Sequence, residues 1–163
     1  MADALEKQVL AELKKGTPKQ QVLKKLSTAD NREDLVWNLN YFPTGKGRRD
    51  NRWVNWLLVV LLLAVTLNTL YFIAMIQLRA LAVDQFSPML LLDLIVPAIN
   101  FFVLSKIVRF HRQGYQFMTV LGILALFRPE NRYMPNLALY LVIIGLSIFL
   151  LLRLFPKQER IED

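Results

Sequence analysis

The run MLLLDLIVPAINFFVLSKIV, residues 89–108, sets a carboxylate among apolar side chains, and that residue, Asp93, is the first candidate for chemistry. An ionisable group in the middle of a membrane-spanning helix costs about 2.5–3.5 kcal/mol on insertion scales, so it is retained where it is paired, hydrated or used. Pro97 and Asn100 follow four and seven residues later, which puts the three on one helical face. Pro97 has no N–H to offer the carbonyl of Asp93, leaving a polar and slightly broken spot there.

Asn68 lies at a comparable depth in the preceding apolar run if the two runs form a symmetric hairpin. A hydrogen bond from Asn68 to Asp93 or Asn100 would fix the register of that hairpin, contributing about 0.6–2 kcal/mol. A polar path through Asp93, Asn100 and Asn68 would instead pass an ion or a proton. Register fixing is the preferred expectation; an Asp93 simply hydrated near the outer interface is the third.

His111 is the single histidine, and cysteine is absent. Bis-histidine haem ligation, a multi-histidine metal site, a thiolate site and a disulfide framework are thereby excluded or disfavoured, and no cofactor or metal is expected. His111 stands beside Lys106, Arg109 and Arg112, and a second basic cluster, Lys46, Arg48, Arg49 and Arg52, precedes the first apolar run. Both clusters suit contact with lipid headgroups or a partner. Gly45 and Gly47 of TGKG lack the strand context and spacing of a phosphate loop and read as a flexible elbow. Gly122, and Gly145 with Ser147, offer small surfaces for helix approach but form no GxxxG pair.

The elements that must position these residues are helices. Of the 163 residues 55% are hydrophobic, with the excess after residue 53. The block from Trp53 to Leu78 has about 25 residues, reaching about 38 Å at about 1.5 Å each, against a hydrocarbon core of about 30 Å. A second span runs from about Met89 to Val108 and a third from about Pro135 to Phe155. Tyr115 to Phe127 covers only about 20 Å. Arg112 and Arg128 can snorkel from its ends, so a thin extra crossing competes with a re-entrant or interfacial helix.

Positive charge orients the spans. With four crossings, ten Lys or Arg flank the inner side and three the outer; with three, nine and four. The expected fold is therefore an all-α integral membrane protein with three spans and a preferred fourth, both termini cytoplasmic.

The first 52 residues carry eleven Lys or Arg against seven Asp or Glu, a surplus of four. Leu5, Val9, Leu10 and Leu13 mark an amphipathic helix, which Gly16 ends; Thr17 and Pro18 would begin a second, with Thr17 as N-cap and Pro18 in the first turn. A third follows from about Asn31 to Tyr41, stopped by Pro43. So small a core would lean on the membrane domain, a partner or lipid. The hairpin superficially resembles a helix-turn-helix, with Lys19, Gln20, Gln21, Lys24 and Lys25 on the reading helix. A basic hairpin beside a membrane is preferred, without nucleic acid as partner.

The chain thus divides into a helical region 1–45, a basic linker 46–52, a transmembrane domain 53–156 and a charged tail 157–163. Its order of features, YFPTGKGRRDNRWVNWLLVV, then IVPAINFFVLSKIVRFHRQGYQF, then SIFLLLRLFP, resembles that of small bacterial multi-span proteins, which implies the inner membrane and carries no catalytic residue across. The expectation for function is a non-catalytic protein working through protein contacts, as accessory subunit or homo-oligomeric scaffold. A small oligomeric channel or transporter is the alternative.

Overall fold

A computed structural model of the chain describes residues 2–28, 30–85 and 88–161, and within these it is helical, with no strand. Three short helices come first: α1 (Ala2–Lys14), α2 (Lys19–Leu26) and α3 (Arg32–Tyr41). Their apolar stripes meet in one core of Val9, Leu13, Val22, Leu35, Leu39 and Phe42. Gly16 takes the left-handed conformation, φ +89°, and turns α1 into α2 as its type allows. The helix start differs from expectation by one residue. Pro18 is the N-cap of α2, and the hydroxyl of Thr17 instead donates back to Glu12 at 3.4 Å. Glu12 also pairs with Lys15 at 3.1 Å and Lys25 at 3.0 Å, joining the two helices on their outer face.

The TGKG stretch is not a flexible elbow. Thr44 caps a short helix, α4 (Gly45–Asp50), accepting from the Gly47 N–H at 3.3 Å. Gly45 lies so close to α1 that a Cβ there would overlap the Leu13 carbonyl oxygen. Its lack of a side chain serves close approach rather than mobility.

The rest is an apolar four-helix bundle: α5 (Arg52–Ala82), α6 (Ile95–Val108, continuing a 3-10 helix Pro88–Leu94), α7 (Arg112–Ala125) and α8 (Asn136–Leu154). Each helix packs on its sequence neighbour and α5 closes the ring on α8. α5, the stretch Leu91–Val108 and α8 are long and apolar enough to cross a membrane. The bundle core is Leu58, Leu62, Val103, Ile107, Tyr115, Met118, Ile143, Leu150 and Leu154, with their neighbours. Pro97 sits in the first turn of α6, where its missing N–H is harmless, and the chain before it winds as 3-10.

Two glycines set the helix spacing. A Cβ on Gly114 would stand 2.8 Å from the Ile107 nitrogen and 3.0 Å from the Lys106 carbonyl carbon, so α7 lies directly on the end of α6. A Cβ on Gly122 would meet Ile144 Cγ1 at 2.6 Å, against α8. Gly145 faces open space.

Candidate functional site

The residues expected to meet inside the bundle do not. Asn68 lies exposed on α5 and Asp93 exposed on the 3-10 helix, while Pro97 is buried and Asn100 half-buried. Among the described residues, Asn68, Asp93 and Asn100 make no hydrogen bond to one another. Asn100 lines a cavity of about 180 Å³ between the four helices, with Thr69, Arg128, Asn131 and Tyr140 as its other polar groups. Its remaining wall is aliphatic, and Asp93 is not part of it.

The buried polar contact of the bundle is instead made by Asn55 and Tyr115. The Tyr115 hydroxyl donates to Asn55 Oδ1 at 2.6 Å, and Asn55 Nδ2 donates to the Ile107 carbonyl at 3.4 Å. Three helices, α5, α6 and α7, are thereby tied at one level. Other polar groups in the bundle are satisfied locally: Thr66 donates to the Leu62 carbonyl at 2.7 Å and Ser147 to that of Ile143 at 2.8 Å. A polar group in an apolar surrounding must find such partners.

The basic residues divide by exposure. Lys46, Arg49, Arg52 and Arg109 face outward; Arg48, Lys106 and Arg112 are half-buried, and His111 is buried. Arg48 lies over Phe42 and Phe110, 5.7 and 5.5 Å from the ring centres, and donates to the Arg109 carbonyl at 3.5 Å. Burial lowers its proton affinity below the ordinary guanidinium value. Lys106 lies 5.4 Å from the Phe102 ring.

His111 packs edge-on against Phe42, 4.6 Å between centres, at the seam of the N-terminal module and the bundle. Burial, reinforced by Lys106, Arg109 and Arg48, pulls its pKa down to about 4. At neutral pH the ring is therefore uncharged, and its approach to Glu6, 4.0 Å, is not an ion pair.

The seam has a second closure. Asn40 on α3 donates to the Ile161 carbonyl at 2.9 Å and accepts from the Ile161 N–H at 3.0 Å, so its amide pairs with one residue of the tail as a strand neighbour would. Ile161 itself packs on the core of α1–α3. Asn40, α7 and the tail enclose a second cavity, of about 300 Å³, whose lining includes Lys19, Arg112, Lys157 and Arg160.

Comparison with protein-family models, curated proteins and solved structures finds no match. The arrangement must speak through its own chemistry: a bundle cavity with polar groups at one side, a satisfied three-helix tie, and a cation-lined seam.

Sequence reasoning passed over Asn55, Tyr115, Asn40 and the tail. An asparagine one turn into the first apolar run was as visible as Asn68. What decides between them is the facing side. Asn55, Leu58, Val59, Leu62 and Thr66 share the buried stripe of α5, whereas Asn68, thirteen residues from Asn55, is rotated by about 140°. Lys19 stood out only as a reading-helix residue. A third helix does support that hairpin, but Lys19 is turned inward and the exposed Lys25 is paired with Glu12, which leaves Gln20, Gln21 and Lys24 as the other exposed residues of that set on α2.

Proposed function

We propose that this is a polytopic membrane protein with both termini on the cytoplasmic side, working without catalysis through contacts with other proteins, as an accessory subunit or a homo-oligomeric scaffold of the bacterial inner membrane. The observation that carries the reading is the pairing of Asn40 with Ile161. The chain leaves the N-terminal module before α5 and returns to it after α8, which favours an even number of crossings. With three long apolar helices, the short α7 supplies the fourth.

The bundle perimeter supports the rest. Trp53, Leu57, Val60, Phe72, Phe102 and Leu152 are all exposed, a surface that only lipid or another apolar face can cover. The buried polar side chains Asn55, Thr66, Tyr115 and Ser147 are spent on one another and on backbone, which suits holding geometry rather than reacting.

Topology is tested by single cysteines in this cysteine-free chain, labelled from one side of sealed vesicles. Positions 24 and 158 should label together, and 85 and 132 from the opposite side; labelling of 24 and 158 from opposite sides overturns four crossings. The contact role is tested by mild-detergent purification with native mass spectrometry, where a stable homo-oligomer or a stoichiometric partner is expected and a bare monomer refutes it. A channel is the second reading, favoured by the outward placement of Asn68 and Asp93, which would put a path between copies. In that case Asp93→Asn changes ion flux in reconstituted vesicles; in a scaffold it leaves assembly and flux unchanged.

A further inference from the structure

The 300 Å³ cavity at the seam gathers four cationic side chains from three separate parts of the chain: Lys19 at the start of α2, Arg112 at the start of α7, and Lys157 and Arg160 in the tail. Asn40 forms another part of its wall and Phe155 its apolar side. Lys19 is only 6% exposed as a residue and pairs with no other described residue; Arg112 buries its Nε without a partner. Among the described residues, the carboxylate acting on Lys19 is Glu159, one negative charge against the four cations of the lining.

Drawing a lysine largely out of water is costly, and bringing further cations to it adds repulsion. Nothing in the packing of α1–α3 requires a lysine there, since their core is already closed by Val22 and its neighbours. A charge cluster of this kind becomes favourable when an anion occupies its centre. The guanidinium groups of Arg112 and Arg160 suit a group with several oxygens, and the two lysines add point charge.

We infer that this cavity is a binding site for a phosphate group, either that of an anionic lipid headgroup or that of a free phosphate or phosphomonoester, which clamps the N-terminal module and the tail onto the bundle. The position suits either source. The cavity lies where α8 ends, and Leu152, three residues before its lining residue Phe155, is exposed and apolar, so acyl chains could run along the bundle from a headgroup seated there. Only that lipid source rests on the membrane placement proposed above; the cation cluster stands without it.

The test uses the full chain purified in a non-ionic maltoside, with thermal unfolding read against three probes at constant ionic strength: inorganic phosphate, glycerol 3-phosphate and short-chain phosphatidylglycerol. At least one should raise the midpoint. The double variant Lys157→Gln/Arg160→Gln changes two exposed tail residues and should weaken that probe about tenfold or more. The double variant Lys24→Gln/Arg32→Gln, with the same net charge and outside the cavity, should stay within about twofold of the parent. A shift with the lipid alone assigns a headgroup site; a shift with the soluble phosphates assigns a free ligand. No shift with any probe, or equal loss in both double variants, overturns the inference. Carbonate extraction of membranes carrying the same chains reads membrane placement separately, so failure of the site and failure of that placement are told apart.

Discussion

Tyr115 on α7 donates a hydrogen bond from its hydroxyl to Asn55 Oδ1 on α5 across 2.6 Å, in a layer of the bundle where both residues are essentially inaccessible. Removing the donor leaves the Asn55 carbonyl buried and unsatisfied. Tyr115→Phe should therefore destabilise by about 1–3 kcal/mol, more than a lost hydrogen bond alone. The double variant Asn55→Leu/Tyr115→Phe should recover part of that loss, because neither partner is then orphaned. Additive losses in detergent unfolding would refute this tie.

The glycines rank by what faces them. Gly114→Ala drives a methyl group into the backbone of α6 and should cost about 1–3 kcal/mol or more. Gly122→Ala meets only the side chain of Ile144, which can shift, and should cost less. Gly145→Ala meets nothing and should be neutral or stabilising, by up to about 1 kcal/mol. The order of unfolding midpoints checks the sequence; Gly145→Ala as the worst of the three would contradict it.

Acid should loosen the seam. The unfolded chain protonates its histidine near pH 6.5, whereas folded His111 resists until about pH 4. Between those values the unfolded state binds a proton that the folded state does not, so stability is full above pH 6.5 and falls as the pH drops towards 4. Protonation would gain some return from Glu6, 4.0 Å away, against repulsion from Lys106, Arg109 and Arg48. His111→Phe should flatten this part of the pH–stability curve; an unchanged slope would count against it.

Lys19 follows the same sign in a higher pH window. Burial, and Arg112 beside it, bring its pKa to about 8 despite Glu159. Below pH 8 the folded chain bears the full cost of the charge, and stability rises as the pH climbs from 8 towards 10.5, where the unfolded lysine loses its proton. Lys19→Met should raise the ligand-free stability at pH 7, by about 1–3 kcal/mol, with the gain fading by about pH 10.5. The same variant should lose most of the shift produced by phosphate probes. A stabilised variant that still responds fully would separate Lys19 from the site.

Asn40→Ala should free the tail. Its two bonds to Ile161 are the only hydrogen bonds shown between the module and the tail among the described residues. Faster digestion by carboxypeptidase, or amide exchange at Ile161 raised by about tenfold, is the expected result. Unchanged protection would mean that the packing of Ile161 alone holds the tail.

The helices were legible because their signals are local: an amphipathic stripe in α1, Gly16 at a turn, and long apolar runs for α5 and α8. The faces of those runs were not. A helix apolar on every side gives no stripe to tell Asn55 from Asn68, and the inward face is chosen by partners far along the chain. The glycines of TGKG misled for a related reason, since close approach and mobility ask for the same residue, and only the Leu13 carbonyl distinguishes them. The cation cavity draws on residues from 19 to 160, a gathering that no local pattern announces.

The pairing of Asn40 with Ile161, 121 positions apart, sets an order of events during synthesis. All of α1–α3 is translated before the first apolar helix, yet one piece of their core, Ile161, is translated only after α8. The core of α1–α3 can therefore close fully only after the bundle helices have been made. A chain cut short ahead of residue 161 would leave that side of the α1–α3 core uncovered however well its bundle has formed.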